Sequence, residues 1–243
     1  MTGNYVTTRP LASRIAIHEY GTNPVPWYAW VHGLLAPYAG PVLEVGAGTG
    51  ALWSGVEHPP LVLTDGSPAM CATLRTAVPD AAVARAGADR LPFADGVFGT
   101  ALANHVLYHV ADPATALAEL RRVLRPGGRV AVATNGAGHM AEASELAVSI
   151  GLPPVDVHEH FPAEAAPAAL ALAFDDVVSR RYEDTLVVTD AGAVVAYVAS
   201  LADRPLTRDE EDAVAAPVSA AIARDGAFRI GKHAVLVTAV RAG

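Results

Sequence analysis

The chain has 243 residues, enough for one large α/β domain with a substantial core, and 52% hydrophobic against 17% charged residues excludes a disordered chain. A formal net charge of -8 opposes a phosphate backbone, and the arginines are scattered, with Arg121, Arg122 and Arg125 the densest group, so no nucleic-acid partner is expected. No apolar run reaches the length of a membrane span, the N-terminal segment lacks the apolar stretch of a secretory signal, and the one cysteine, Cys71, has no internal partner; the expectation is a cytoplasmic protein with no membrane partner.

Between Pro26 and Tyr38, Trp27, Trp30, Val31, Leu34 and Leu35 recur at spacings of three and four, the apolar stripe of a helix. Val42 to Val45 reads as a short buried strand that enters a turn marked by Gly46, Gly48 and Gly50, with a helix to follow. Leu61 to Leu63 is a second strand ending at Asp65, and Pro68 to Ala77 a helix capped by Ser67. Ala81 to Ala86 and Gly99 to Ala103 are the third and fourth strands. Asp112 and Pro113 open a helix whose apolar face is Ala116, Leu117, Leu120, Val123 and Leu124, and Pro126, Gly127 and Gly128 stop it before a strand from Arg129 to Thr134. Strands alternating with helices imply a parallel, doubly wound α/β sheet with right-handed crossovers.

Beyond Asn135 the rhythm changes. A helix is expected over Met140 to Ile150, then an irregular stretch containing Pro153, Pro154, His158, Glu159 and His160. Val177 to Tyr182 reads as a sixth strand and Val235 to Val240 as a last, antiparallel one. Between them lie helices at Ala191 to Leu201 and from Thr207, where Thr207 and Glu210 have capping-box spacing. The whole is expected to be one domain over 1–243, with an N-terminal helical part (1–38), a core (39–135) and a C-terminal part (136–243).

In an open parallel sheet the ligand lies outside the carboxyl ends of the strands, near the point where strand order reverses. The run Glu44-Val45-Gly46-Ala47-Gly48-Thr49-Gly50-Ala51 lets backbone approach a ligand closely, and Asp65, about 20 residues beyond, is placed to accept from both hydroxyls of a ribose. These residues describe a nucleotide site and leave NAD and S-adenosylmethionine open.

Three later segments separate the two: Gly87-Ala88-Asp89-Arg90-Leu91-Pro92-Phe93, Ala103-Asn104-His105-Val106-Leu107-Tyr108-His109-Val110 and Leu124-Arg125-Pro126-Gly127-Gly128-Arg129. In order and spacing, over roughly residues 40 to 135, they resemble the motifs of class I S-adenosylmethionine-dependent methyltransferases, particularly the small-molecule branch that includes ubiquinone and menaquinone biosynthesis enzymes. The resemblance implies a mostly parallel, seven-stranded Rossmann-like sheet with helices on both faces, an antiparallel last strand, and S-adenosylmethionine as cofactor. It implies that Glu44, Gly46, Ala47, Gly48 and Gly50 surround the methionine part, that Asp65 with Gly66 takes the ribose, and that Ala88, Asp89 and Arg90 flank the adenine, Asp89 accepting from its amino group. Asn104 and His105 would close the site beneath the sulfonium. The N-terminal part would form a lid and the stretch after the fifth strand would cover the acceptor.

A sulfonium is already an activated methyl donor, so the protein has to align the reactants and exclude water. The expected reaction is methyl transfer to a small-molecule acceptor, at a hydroxyl oxygen, in a biosynthetic pathway of the secondary-metabolite kind; a protein of the same fold that binds S-adenosylmethionine but catalyses a cyclisation or rearrangement or acts without methyl transfer, and an NAD-dependent oxidoreductase, are the alternatives. A hydroxyl acceptor calls for a base titrating near neutral pH, and His109, a few residues past the fourth strand, is the candidate. Tyr5, His18, Tyr20, Trp27, Tyr108, His139 and His158 are the candidate acceptor residues, the aromatic ones suited to stacking on a flat molecule. No tight ligand motif for a metal is visible. A monomer or a homodimer is expected.

Overall fold

A computed structural model describes residues 14–154 and 160–243. Tyr5, His158 and Glu159 lie outside the described residues. In chain order the elements are α1 (Trp27–Leu35), β1 (Val42–Val45), β2 (Leu61–Asp65), α2 (Pro68–Ala77), β3 (Ala82–Arg85), β4 (Phe98–Asn104), α3 (Pro113–Val123), β5 (Leu124–Asn135), α4 (Ala141–Ser149), α5 (Ala166–Ala171), β6 (Asp175–Tyr182), β7 (Thr185–Val188), α6 (Ala191–Leu201), α7 (Arg208–Asp225), β8 (Phe228–Gly231) and β9 (Ala234–Val240).

By its internal contacts the chain divides into two units. The larger, Val25–Ala137 with Val157–Tyr182 and Ala234–Gly243, holds a seven-stranded sheet in the order β3-β2-β1-β4-β5-β9-β6. All pairings from β3 to β5 are parallel, and β9 runs antiparallel between β5 and β6. This is the expected doubly wound, mostly parallel sheet with an antiparallel last strand. The central strands β1 and β4 are apolar on both faces because both are covered, whereas the edge strands β3 and β6 are largely exposed. Leu43, Val45, Ala101, Ala103, Val130 and Val132 join Leu117 and Leu120 of α3 and Leu170 of α5. Val42, Leu102, Ala131 and Ala133 join Val31 and Leu35 of α1 and Leu74 of α2. A fully buried Leu or Val of this kind contributes roughly 1.5–3 kcal/mol.

Local chemistry sets the helix ends. The Ser67 hydroxyl accepts from the Met70 N–H at the start of α2, and the Asp112 carboxylate accepts from the N–H groups of Ala114 and Thr115 at the start of α3.

Two expectations need correction. No helix follows the glycine turn: residues 51–55 form successive turns bounded by Gly50 (φ +77°) and Gly55 (φ +72°), and Pro59 and Pro60 bar helical continuation. Pro126, Gly127 and Gly128 do not separate α3 from the next strand, which begins at Leu124; they form its bulged start, where pairing shifts between Phe98 and Thr100 and Gly127 (φ +74°) donates its N–H to the Arg241 carbonyl. The alanine-rich run from Ala163 to Ala173 contains the short helix α5.

The smaller unit comprises Met1–Pro24, Gly138–Asp156 and Glu183–His233. β7 and β8 form an antiparallel pair, and Leu186, Val188 and Ile230 from it pack with Ile17, Met140, Val194, Val198, Val214 and Val218. The capping box of α7 is present, with the Thr207 side chain accepting from the Glu210 N–H and the Glu210 carboxylate from the Thr207 N–H. Lys232, the only lysine of the chain, is buried against Asp184 at 2.7 Å. Burial alone would raise the Asp184 carboxyl, but Lys232 and the N–H groups of Asn23 and Thr22 hold it below the usual carboxylate range. Among the described residues no helix is long and apolar enough to cross a membrane.

Candidate active site

Strand order reverses between β1 and β4, so the carboxyl ends of β1, β2 and β4 flank the switch point where a ligand of such a sheet binds. At the end of β1 the chain turns through Gly46, Gly48 and Gly50, all left-handed (φ +64°, +57° and +77°). A Cβ at Gly46 would collide with the Val106 side chain, so the segment after β4 lies directly against this turn. The Ala47 N–H donates to the Thr64 carbonyl at 2.9 Å, tying the turn to β2.

Asp65 ends β2, half-buried, with both carboxylate oxygens engaged: one accepts from the Gly48 N–H at 3.0 Å, the other from the Ser67 N–H at 2.8 Å. Its carboxylate is thereby fixed beside the glycine turn with lone pairs left to accept from a diol. Glu44 has a different environment from the glycines it precedes. It is buried at 2% exposure and accepts from the Trp53 indole N–H at 2.6 Å. Burial raises its carboxyl from 4.5 to about 7, the Trp53 hydrogen bond opposing and the Asp65 charge adding to the rise. Gly66, which follows Asp65 at the end of β2, is exposed; after β3, Ala88 is buried, whereas Asp89 and Arg90 are exposed, and the Arg90 N–H closes a short turn on the Gly87 carbonyl.

At the end of β4, Asn104 and His105 are half-buried. Asn104 accepts from the Trp27 indole N–H at 3.3 Å, and the Trp27 ring packs on His105 with centroids 5.1 Å apart. His105 has φ +54°, a left-handed conformation that costs a non-glycine residue about 1–3 kcal/mol and has to be imposed by its surroundings. Its N–H is held by the Ala133 carbonyl at 3.1 Å. A 3-10 turn, Leu107–His109, then presents Tyr108 and His109, rings 4.5 Å apart, with His109 exposed.

The sheet unit therefore brings together Trp27, Asn104, His105, Tyr108 and His109 with the glycine turn and Asp65. His18, Tyr20 and His139 belong to the smaller unit. There His139 Nδ1 accepts from the His233 N–H at 3.1 Å, and His18 and Tyr20 lie in the 3-10 turn Ile17–Tyr20. Two contributors escaped the sequence reading. Trp53 holds Glu44, and Tyr182 packs edge-on against Trp27 at 5.2 Å while its hydroxyl donates to the Val25 carbonyl at 2.7 Å. Tyr182 carried a signal, since it closes a predicted strand at the ligand-bearing edge. Among the described residues no three or more His, Cys, Asp or Glu side chains gather as a metal would need.

Residues 43–132 match a family model described as Methyltransferase domain. An uncharacterized methyltransferase of Mycobacterium tuberculosis is 35% identical over 125 residues, 51% of this chain and 51% of that protein. A demethylmenaquinone methyltransferase of Beutenbergia cavernae is 38% identical over 94 residues, 38% of this chain and 39% of that enzyme. The matched stretch thus spans about half the length of the first relative and less of the second. Among solved structures, a Bacillus halodurans protein proposed to be a methyltransferase superposes with a TM-score of 0.63 at 15% identity, over 89% of this chain and 99% of that one. The similarity to methyltransferases thus lies in residues 43–132, which contain all but the first residue of β1, the whole of β2 to β4 and most of β5, and the solved structure shares the fold.

Proposed function

We propose that this chain binds S-adenosylmethionine and transfers its methyl group to a small-molecule acceptor, at a hydroxyl oxygen, in a cytoplasmic biosynthetic pathway. The observation that carries the reading is the Asp65 carboxylate, aligned by two backbone N–H groups at the switch point beside a turn of three left-handed glycines. A ribose diol donates two hydrogen bonds and needs such an acceptor. The turn carries neither lysine nor arginine, which suits a ligand with no phosphate to neutralise.

On this reading the turn from Gly46 to Gly50 receives the methionine part, Asp65 and Gly66 the ribose, and Ala88 and Asp89 the adenine. Bound there, the cofactor supplies an electrophilic methyl on a positively charged sulfur. The protein's own residues orient and shield it: Trp27, Asn104 and His105 wall the end of β4, and Tyr108 lines the approach. His109, exposed on its 3-10 turn, takes the hydroxyl proton and passes it to solvent.

The test is incubation with S-adenosylmethionine and a panel of hydroxyl-bearing small molecules, with mass detection of both products. Methylated acceptor formed in equal amount with S-adenosylhomocysteine is expected. Conversion of an acceptor with no S-adenosylhomocysteine would show a rearrangement chemistry instead.

A further inference from the structure

The indole N–H of Trp27 can only donate, so the Asn104 atom it meets has to be the carbonyl oxygen. That single contact decides which way the amide faces and turns the amino group away from Trp27. Among the described residues the structure records no acceptor for that amino group, although Asn104 is half-buried. Trp27 is itself braced: Trp30 packs at 5.3 Å, Tyr182 edge-on at 5.2 Å and His105 at 5.1 Å, and Tyr182 is pinned to the Val25 carbonyl. The result is a fixed hydrogen-bond donor at the tip of β4, next to the glycine turn that Val106 touches.

We propose that Asn104 presents its amino group to the acceptor's nucleophilic atom, that Trp27 is the residue positioning it, and that the pair makes this site select an oxygen nucleophile over an amine. A fixed amide donor stabilises negative charge growing on oxygen as a hydroxyl loses its proton. It opposes the positive charge that grows on a neutral amine nitrogen, whose one lone pair is committed to the methyl carbon as it attacks. In the step so favoured, an oxygen lone pair forms the new C–O bond, the C–S bonding pair returns to sulfur, and the O–H proton leaves through His109. The inference rests on the methyl-transfer reading, and its test keeps the two apart.

Wild type, Trp27→Phe and Asn104→Asp are first titrated calorimetrically with S-adenosylhomocysteine. Binding by wild type, and a Kd within about threefold for Trp27→Phe, is expected, since phenylalanine keeps the ring packing and removes only the N–H. Each protein is then given S-adenosylmethionine with phenols and anilines matched in carbon skeleton. Wild type should methylate the phenols and leave the anilines. Trp27→Phe should lower kcat for the phenols about tenfold with KM little changed, the loss of one oriented hydrogen bond to a charge that develops in the transition state. Asn104→Asp, which replaces a donor by an acceptor, should shift preference toward the anilines. Methylation of anilines by wild type, an unchanged kcat for the phenols in Trp27→Phe, or no phenol turnover by a protein that binds S-adenosylhomocysteine would each overturn the proposal. Absence of S-adenosylhomocysteine binding in wild type would instead defeat the methyl-transfer reading beneath it.

Discussion

Asp65 is held between the N–H groups of Gly48 and Ser67, so truncating it removes both the acceptor and the brace on the glycine turn. Asp65→Ala should weaken S-adenosylhomocysteine binding at least tenfold while the far-ultraviolet circular dichroism stays unchanged, in line with about 1.5–3 kcal/mol for hydrogen bonds to a charged group. Gly46 is constrained twice, by φ +64° and by the Val106 side chain. Gly46→Ala is expected to cost more than the backbone conformation alone, roughly 1–3 kcal/mol by chemical denaturation, and adding Val106→Ala should recover only part of the steric share, because the Val106 Cβ itself lies 2.7 Å from the new methyl position. Glu44 supplies a pH test. Its folded carboxyl keeps its proton to about pH 7, whereas the unfolded chain releases it near 4.5. Between those values the folded state binds more protons, so stability should fall as pH rises from 4.5 to 7, by up to about 3 kcal/mol, and level off above. Glu44→Gln should flatten that slope in denaturant midpoints measured across the range.

Elements with a local code were legible in the sequence. α2 and α3 begin where Ser67-Pro68 and Asp112-Pro113 said they would, and the Thr207/Glu210 box opens α7; Thr207→Ala should cost about 1 kcal/mol in thermal or denaturant unfolding. Elements that depend on distant partners were not. The bulged start of β5 looked like a helix stop because proline and two glycines read as punctuation, and only pairing with β4 and Arg241 makes it a strand. The β7 and β8 pair joins segments some forty residues apart, beyond any local periodicity. Its anchor, the Lys232–Asp184 pair, was equally invisible. Asp184 also accepts from the N–H groups of Thr22, Asn23 and Thr185. Asp184→Ala should therefore destabilise by about 3–5 kcal/mol, leaving a buried ammonium and three backbone donors unserved, whereas Lys232→Met should cost less because those donors still satisfy the carboxylate.

At the scale of the molecule, the sequence could be read where ligand geometry constrains it. The glycine turn, the acid that ends β2 and the segment after β4 were legible because each sits at a set distance from its strand, and all three lie within the matched residues 43–132. The acceptor answers to no shared ligand, so His18, Tyr20, His139 and Trp27 could be named as candidates but not gathered; the contact of Trp27 with Asn104 spans 77 residues of sequence, and that of Tyr182 with Val25 spans 157. The central claim is the cofactor, and calorimetric titration of the whole chain with S-adenosylhomocysteine and, separately, NAD tests it most directly. Micromolar binding of S-adenosylhomocysteine, lost in Asp65→Ala, with none for NAD, is predicted; no binding of S-adenosylhomocysteine, or tighter binding of NAD, would contradict it.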